Sequence, residues 1–284
     1  GGHAFNMGTH EWQQWWQLGE QIAFLWPDRP LGPGFVFSNH RFSRNQRPLV
    51  GVGEFTLREY PSLNSTIYAW RAFYENGVPT TFGANAKSLA NYRFDRPLIL
   101  IGISEFSDKE TESLMALKQR GIGLVATMGG EELSPDLAAL FGVDQQGKRT
   151  TGTIVGQVLG RDIVRHGKTL FYPLHFDEYS NQRIQRARED LLDVLDLNIQ
   201  LPDGVTGYAH YRGEQLFVIL EDRLEQGRLL KLRLKSKPGS PKPRACRMVD
   251  HRPATVRVEE GWWVIETPTR PGDGTLLCIE GYEE

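Results

Sequence analysis

The sequence predicts an α/β domain built on a doubly wound parallel sheet, followed by a small all-β sandwich. Short apolar runs alternate with amphipathic helical segments from residue 34 to about residue 200, as in folds with helices on both faces of a parallel sheet. The helical period disappears after Leu201-Pro202-Asp203-Gly204. The 284 residues also exceed one average domain. We therefore divide the chain into residues 1–33, 34–200 and 201–284.

Residues 1–33 are predicted to form a tryptophan-rich helix and a proline linker. Thr9 is a good N-cap, and prolines after Trp26 end the helix. The apolar stripe at helical spacing comprises Trp12, Trp16, Gly19, Ala23 and Trp26. Such a stripe is typical of packing against another domain, while indole faces also stack on sugars. We interpret Trp12, Trp16 and Trp26 as a partner surface, with a carbohydrate surface as the alternative.

The middle segment alternates predicted strands and helices. The predicted strands are Phe35–Phe37, Val78–Phe82, Leu98–Gly102, Gly123–Thr127 and Thr169–Pro173. The predicted helices are Leu63–Tyr74, Asp108–Gln119 after the cap Ser107, Pro135–Phe141, and Asn181–Leu195. Residues 151–165 interrupt the alternation and predict an inserted β-hairpin. Five parallel strands favour a flavodoxin-like order over an eight-stranded barrel, which needs about 250 residues.

The last segment contains short strands separated by turn residues and no helical period. The predicted strands lie within Val205–Leu220, Leu229–Leu234, Arg247–Asp250, Thr255–Glu259, Trp262–Thr267 and Thr275–Ile279. The basic stretch from Lys231 to Lys242 is predicted to be a solvated loop. A sandwich of about 80 residues is small, so we expect it to dock on a neighbouring domain.

Composition excludes several classes of protein. With 33 basic and 35 acidic residues the net charge is -2, which argues against a dedicated nucleic-acid binder. No apolar run approaches the roughly 20 residues that cross a bilayer, and no signal peptide is visible, so we expect a cytoplasmic protein. The first methionine is Met7, and we expect the chain to be a piece of something longer. Cys246 and Cys278 are interpreted as small buried apolar residues, with a cross-strand disulfide as the alternative.

Motifs that would specify a cofactor, metal or nucleophile are absent from the sequence. It contains no P-loop, no dinucleotide fingerprint, no GxSxG elbow and no HExxH pair. Polar residues nevertheless follow the predicted strands, where doubly wound sheets bind ligands. Glu105 and Glu131 are candidates for an acid–base pair, and His175 for a polarising group. The structural alternative is that loops carry polar residues in any α/β fold. We therefore assign no catalytic residue and expect no cofactor.

The order of the pieces resembles the non-catalytic C-terminal half of glycoside hydrolase family 42 β-galactosidases. The stretches that carry the resemblance are Glu11–Leu25, Gly34–Ser38, Arg96–Gly102, Ser107–Gly121, Gly123–Thr127, His166–Tyr172, Tyr211–Ile219 and Thr275–Ile279. In that family a catalytic barrel is followed by a flavodoxin-like trimerisation domain and a small β-domain. The resemblance implies that this chain serves in self-association, or as the partner of a missing catalytic barrel. No catalytic residue of the barrel has a counterpart here, and the hairpin at residues 151–165 is not expected of the family.

Two other functions remain as alternatives. One is a stand-alone enzyme of the amidotransferase-like or hydrolase type that uses Glu105, Glu131 and His175. The other is a carbohydrate-binding module that uses exposed aromatic side chains such as Trp262 or Trp263. Because adjacent residues of a strand face opposite sides, we expect one of these two tryptophans to be in the core.

Overall fold

The computed structural model describes residues 29–37, 73, 77–79, 82–129, 132–173, 188–202, 204–222, 227–248, 250–269 and 274–284. The strands are β1 (Arg29–Pro30), β2 (Gly34–Phe37), β3 (Phe82–Asn85), β4 (Leu98–Ile101), β5 (Leu124–Thr127), β6 (Thr153–Val158), β7 (Arg161–His166), β8 (Thr169–Tyr172), β9 (Ile199–Gln200), β10 (Val205–Arg212), β11 (Gln215–Asp222), β12 (Leu229–Lys235), β13 (Arg244–Arg247), β14 (Thr255–Glu259), β15 (Trp262–Pro268) and β16 (Gly274–Glu280). The α-helices are α1 (Asp108–Gln119), α2 (Pro135–Phe141) and α3 (Arg188–Leu195). None of the helices in these ranges is long and apolar enough to cross a membrane.

One sheet is mostly parallel and has the order β3-β2-β4-β5-β8-β7-β6. Its first five strands pair in parallel. Numbered along the chain, those five strands have the order 2-1-3-4-5. Strands β6 and β7 pair antiparallel with each other, and β7 pairs antiparallel with β8. The predicted mixed α/β architecture and the inserted hairpin are confirmed.

The parallel sheet is covered on both faces. All four residues of β4 and all four of β5 are buried, as expected of strands between two helical layers. The core on one face includes Leu114 of α1 and Leu137 of α2. The core on the opposite face includes Leu191 of α3. Continuous apolar runs were therefore the correct sequence signal for these strands.

Helix α1 begins and ends where the sequence predicts. The Ser107 backbone N–H donates to Glu110 Oε2 at 2.7 Å, as part of a capping box. Ser134 caps α2, with Pro135 at its first position and Gly142 in the left-handed conformation after its end. Predicted helix Leu63–Tyr74 lies outside the described residues except for Phe73. Residues 181–187 of the last predicted helix also lie outside them.

Two antiparallel sheets form the other part of the structure. Their strand orders are β1-β10-β11-β16-β13 and β14-β15-β12-β9. Apolar side chains from both sheets, among them Val218, Leu232, Ile265 and Leu277, form one core cluster. Such shared burial is typical of a β-sandwich.

The start of the described chain belongs to this antiparallel part. Arg29 and Pro30 pair with Tyr211 and His210 of β10, where the sequence predicts only a stiff linker. Proline is compatible with this position because β1 is an edge strand, where a missing N–H breaks no ladder. Leu31 next to it joins the core shared by the two antiparallel sheets.

Three other predictions need correction. The second parallel strand is Phe82–Asn85 and not Val78–Phe82. The Val78 N–H donates to the Phe73 carbonyl, and Pro79 has no N–H to offer a neighbouring strand. Strand β13 ends at Arg247 and does not continue to Asp250, since the Arg247 N–H donates to the Arg252 carbonyl in a turn. The basic stretch from Lys231 begins inside strand β12 and is a loop only after Lys235.

Candidate functional site

The carboxyl ends of β4 and β5 are the place where the sequence predicts chemistry. Gly102 follows β4 with φ of 64°, a left-handed conformation that glycine adopts without steric cost. Its N–H donates to Thr127 Oγ1 at 3.0 Å. Thr127 is the last residue of β5 and is fully buried. This bond ties the loop after β4 to the end of β5.

The loops that follow β4 and β5 are in close contact. A Cβ added at Gly129 would lie 2.0 Å from Ser104 Oγ, and one at Gly102 would lie 3.9 Å from Gly129 Cα. Glycine at 129 therefore allows the two loops to approach more closely than a side chain would permit. Ser104 and Gly129 therefore lie against each other between the two strand ends.

Glu105 lies in the short 3₁₀ turn Ile103–Glu105 after β4 and is partly buried. Its carboxyl carbon would lie 4.0 Å from a Cβ on Gly102, so the side chain folds back over its own loop. Glu131 and His175, the other two members of the predicted constellation, lie outside the described residues. Trp12, Trp16 and Trp26 also lie outside them. The structure thus places one of the three candidate catalytic side chains.

A cavity of about 520 Å³ lies at the opposite end of the parallel sheet. Pro97, Gly123 and Lys168 line it, and each immediately precedes a parallel strand. Ligands of doubly wound sheets bind at the carboxyl ends of the strands, so this cavity is at the less usual end. Its charged lining residues are Asp95, Arg96, Arg120, Arg165, Lys168, Asp193 and Asp196.

The arginines of this cavity are engaged in ion pairs. Arg120 contacts Asp95 at 3.0 Å, and Arg96 contacts Glu284 at 2.5 Å. Arg165 contacts Asp190 at 2.9 Å and also bonds Asp193. Hydrogen bonding to Asp190 raises the pKa of the Arg165 guanidinium above its already high value. Paired guanidinium groups neither donate protons at neutral pH nor act as nucleophiles, so the arrangement is suited to holding elements together.

The ion pairs of the cavity were not found from the sequence. Arg96 precedes β4, Arg120 follows α1 and Arg165 lies within β7. Their acidic partners are up to 188 positions away. No local motif links such residues. Only the fold brings them to one end of the sheet.

The two adjacent tryptophans of β15 have different surroundings. Trp263 packs against the core between the antiparallel sheets. The Arg233 guanidinium carbon lies 6.0 Å from the Trp262 ring centroid, within the range of a cation–π contact. The expectation that one of the pair is in the core is met only in that Trp263 packs against the core. Both are partly buried, and Arg233 occupies part of the Trp262 surface that a sugar would need.

The two cysteines face each other across β13 and β16. Cys246 and Cys278 are direct partners in the antiparallel register, and both are free thiols. Cys278 is buried, as predicted, while Cys246 is partly exposed. Burial raises the pKa of the Cys278 thiol. In the described part of the chain no group of three or more histidine, cysteine, aspartate or glutamate side chains is arranged to hold a metal ion.

Known structures share this fold at low sequence identity. The α-L-fucosidase isoenzyme 2 from Paenibacillus thiaminolyticus aligns with a TM-score of 0.61 at 11% identity, over 95% of this chain and 51% of its own. The GH42 β-galactosidase Gan42B from G. stearothermophilus aligns with a TM-score of 0.52 at 13% identity, over 97% of this chain and 45% of its own. The β-galactosidase from Bacillus circulans sp. alkalophilus gives 0.52 at 9% identity, over 92% and 44%. This chain thus spans about half the length of these structures. No protein-family model and no curated protein matches the sequence.

Proposed function

We propose that this chain is a non-catalytic accessory portion of a carbohydrate-active glycoside hydrolase and serves in self-association. The observation that carries the proposal is the coverage of the structural alignments. Over nine tenths of this chain aligns with each of three glycosidases, yet it accounts for only about half of each of them. A shared fold at 9–13% identity does not by itself transfer an activity. The two ends of the parallel sheet and the hairpin β6–β7 are therefore considered as separate support.

The parallel-sheet region, residues 34–200, is proposed to be a flavodoxin-like domain. The order 2-1-3-4-5 of its parallel strands, read from the sheet order above, is the order of that fold. Residues 201–284 are proposed to form the accompanying β-domain. Arg29 and Pro30 would then be a strand that the β-domain receives from the start of the chain.

A non-catalytic role agrees with the two ends of the parallel sheet. At the carboxyl end, the contact of Ser104 with Gly129 occupies the space between the central loops. At the amino end, the cavity is lined by arginines that already have carboxylate partners. Among the residues that the structure describes, neither place combines an open cleft with a nucleophile and a base, which an acyl- or glycosyl-transfer site requires.

Self-association is supported by the hairpin β6–β7. Strand β6 is the outer edge of the mostly parallel sheet, and unpaired edges are ready templates for contact with another chain. Ile154 of β6 is 45% exposed, and Leu159 at the hairpin turn is 51% exposed. We propose that this hairpin is part of the contact between copies.

The test measures activity and assembly of the purified chain together. We expect no hydrolysis of p-nitrophenyl β-galactoside or α-L-fucoside, and an oligomer at tens of micromolar in sedimentation velocity. The variant Ile154→Asp should shift the distribution toward monomer, because a buried carboxylate without a partner opposes association. Val258→Asp, at a position 59% exposed on β14, is the matched control and should leave the distribution unchanged.

Two results would overturn the proposal. Hydrolysis by the wild-type chain that is lost in Glu105→Gln would identify a stand-alone enzyme. A monodisperse monomer at tens of micromolar would remove the role in self-association.

A further inference from the structure

The two cysteines of the chain lie side by side on one face of an antiparallel sheet. Cys246 of β13 is the register partner of Cys278 of β16, and the chain contains no other cysteine. Residues directly opposite each other on neighbouring strands place their side chains on the same face. That face points away from the sandwich core, because the adjacent residues Ala245 and Ile279 belong to the core cluster. Both thiols are free in this structure.

The spacing of the two backbones suits a disulfide. Two positions along the ladder, the Met248 N–H donates to the Leu276 carbonyl at 2.8 Å. Hydrogen-bonded pairs alternate with non-hydrogen-bonded pairs in an antiparallel ladder, so Cys246 and Cys278 also form a hydrogen-bonded pair. The Cα atoms of such a pair are about 5.5 Å apart, and disulfides most often join Cα atoms about 5.5–6 Å apart. The two thiols can therefore be joined with little movement of the strands.

The two thiols differ in accessibility and in acidity. Cys246 is partly exposed on β13, the outermost strand of its sheet, while Cys278 is buried. Burial raises the pKa of the Cys278 thiol, and the negative charges of Glu280 and of the Cys246 thiolate raise it further. Because the thiolate is the nucleophile, Cys278 is a poor first attacker on a reagent in solution. Cys246 is therefore the thiol that reacts first with a small disulfide.

We propose that Cys246 and Cys278 form a reversible disulfide by exchange with a low-molecular-weight disulfide, for which glutathione disulfide is the probe. The Cys246 thiolate attacks one sulfur of the reagent, so that a mixed disulfide forms and one glutathione thiolate leaves. Cys278 then loses its proton to solvent, and its thiolate attacks Cys246 Sγ and releases the second glutathione thiolate. Two protein thiols are thereby oxidised to one disulfide. Glutathione disulfide is reduced to two molecules of glutathione, which take up the two protons.

The disulfide fastens a short outer strand to the sandwich. Strand β13 has four residues and pairs with β16 along its length. Between the two cysteines the chain passes from β13 through β14 and β15 of the other antiparallel sheet and returns in β16. A cross-link closes this stretch into a covalent loop, which lowers the conformational entropy of the unfolded state. The oxidised protein is therefore expected to be more stable than the reduced protein.

The test follows the thiols of the full chain in glutathione disulfide by intact mass spectrometry. The wild-type protein should lose both free thiols and reach a mass about 2 Da lower, because each thiol gives up one hydrogen. Cys278→Ala should instead retain one glutathione on Cys246. Cys246→Ser should react about tenfold or more slowly than Cys278→Ala, since its remaining thiol is buried. Dithiothreitol should return the wild-type protein to its starting mass.

Three results would overturn the proposal. The first is a glutathione adduct that persists on Cys246 of the wild-type protein. The second is a dimer linked between two chains in place of the internal bond, which peptide mass spectrometry of the unreduced protein distinguishes. The third is an equal reaction rate for Cys246→Ser and Cys278→Ala, which would contradict the order of the two steps.

A second measurement uses the wild-type chain itself, so it does not depend on how the Cys278→Ala variant folds. Thermal unfolding of the oxidised protein should have a midpoint about 5 °C or more above that of the reduced protein. Cys246→Ser, taken through the same two treatments, is the control and should shift by less than about 1 °C. An equal or lower midpoint after oxidation of the wild-type protein would overturn the stabilising role of the bond.

Discussion

The parallel strand β4 and the antiparallel strand β12 have different burial patterns. Strand β11 is antiparallel like β12, but its burial pattern resembles that of β4. All four residues of the parallel strand β4 are buried. The antiparallel strand β12 alternates between exposed and buried positions. Antiparallel β11 nevertheless has five consecutive buried residues, Leu216–Leu220. The burial pattern of a strand therefore depends on whether one or both faces of its sheet are buried. Parallel strands are usually buried throughout because parallel sheets are usually covered on both faces.

The largest effect that tests this difference is expected at Phe217. Phe217→Ala should lower the free energy of unfolding by about 3–5 kcal/mol, as in a closed core, because both the transferred surface and the cavity contribute. Leu229→Ala, at an outward position of β12, should change it by less than about 0.5 kcal/mol. Urea unfolding of both variants measures the two values. Equal, small values would mean that β11 has only one covered face.

A second substitution tests how closely a helix approaches the parallel sheet. A Cβ at Gly123, just before β5, would lie 2.2 Å from the Val194 carbonyl oxygen of α3. Gly123→Ala should destabilise the protein by about 2–3 kcal/mol, since backbone must move to relieve the overlap. In Gly167→Ala nothing lies within 4 Å of the new Cβ and φ is 65°, so backbone strain alone should cost about 1 kcal/mol. The denaturant midpoints of both variants measure the two losses of stability. A lower midpoint for Gly167→Ala than for Gly123→Ala would contradict this explanation.

The contact between the two regions should contribute less. Arg96 precedes β4, and Glu284 ends the chain beyond β16; both side chains are 15% exposed. Glu284→Gln should cost about 1 kcal/mol, because the pair is partly shielded from water. A double-mutant cycle with Arg96→Gln measures the coupling between the two side chains. The exposed pair Lys235–Asp196 serves as the comparison and should show weaker coupling.

The smallest effect is expected from pH. Burial lowers the pKa of His210, so the folded state favours the neutral imidazole more than the unfolded state does. The resulting stability is present above the unfolded pKa of about 6.5 and is lost as pH falls toward the folded-state pKa. Between pH 7.5 and 5.5 the wild-type protein should lose more stability than His210→Gln. His251→Gln, at an exposed residue, should retain the wild-type slope, and parallel slopes for all three proteins would exclude His210 as the cause.

Local signals predicted much of the fold because they act over a few residues. The apolar runs Leu98–Ile101 and Leu124–Thr127, the cap Ser107 and the glycine turns of the hairpin each specify their own element. Strand β3 was misplaced because Phe82-Gly83-Ala84-Asn85 has little β-propensity, and its pairing with β2 decides its conformation. Strand β1 has only two residues, too few for any periodicity.

The candidate site was predicted less well than the fold. Polar residues after strands identified Glu105, but nothing local shows that Ser104 and Gly129 come into contact beside it. The charged cavity depends on residues that lie far apart in sequence, such as Arg96 and Glu284. Their proximity is a consequence of packing, and a single sequence holds no local record of it.

The amino-acid sequence by itself determined the alternation of strands and helices, the change to an all-β region after residue 201, and the absence of nucleotide and hydrolase motifs. Periodicity, capping and turn residues are properties of short segments, so they can be read without the fold. Only the tertiary structure decided that Arg29–Pro30 joins the sandwich, that Cys246 faces Cys278, and that Phe217 and Ile219 are buried. These features depend on which distant segments pack together, and that choice is made by the burial of apolar surface over the whole chain.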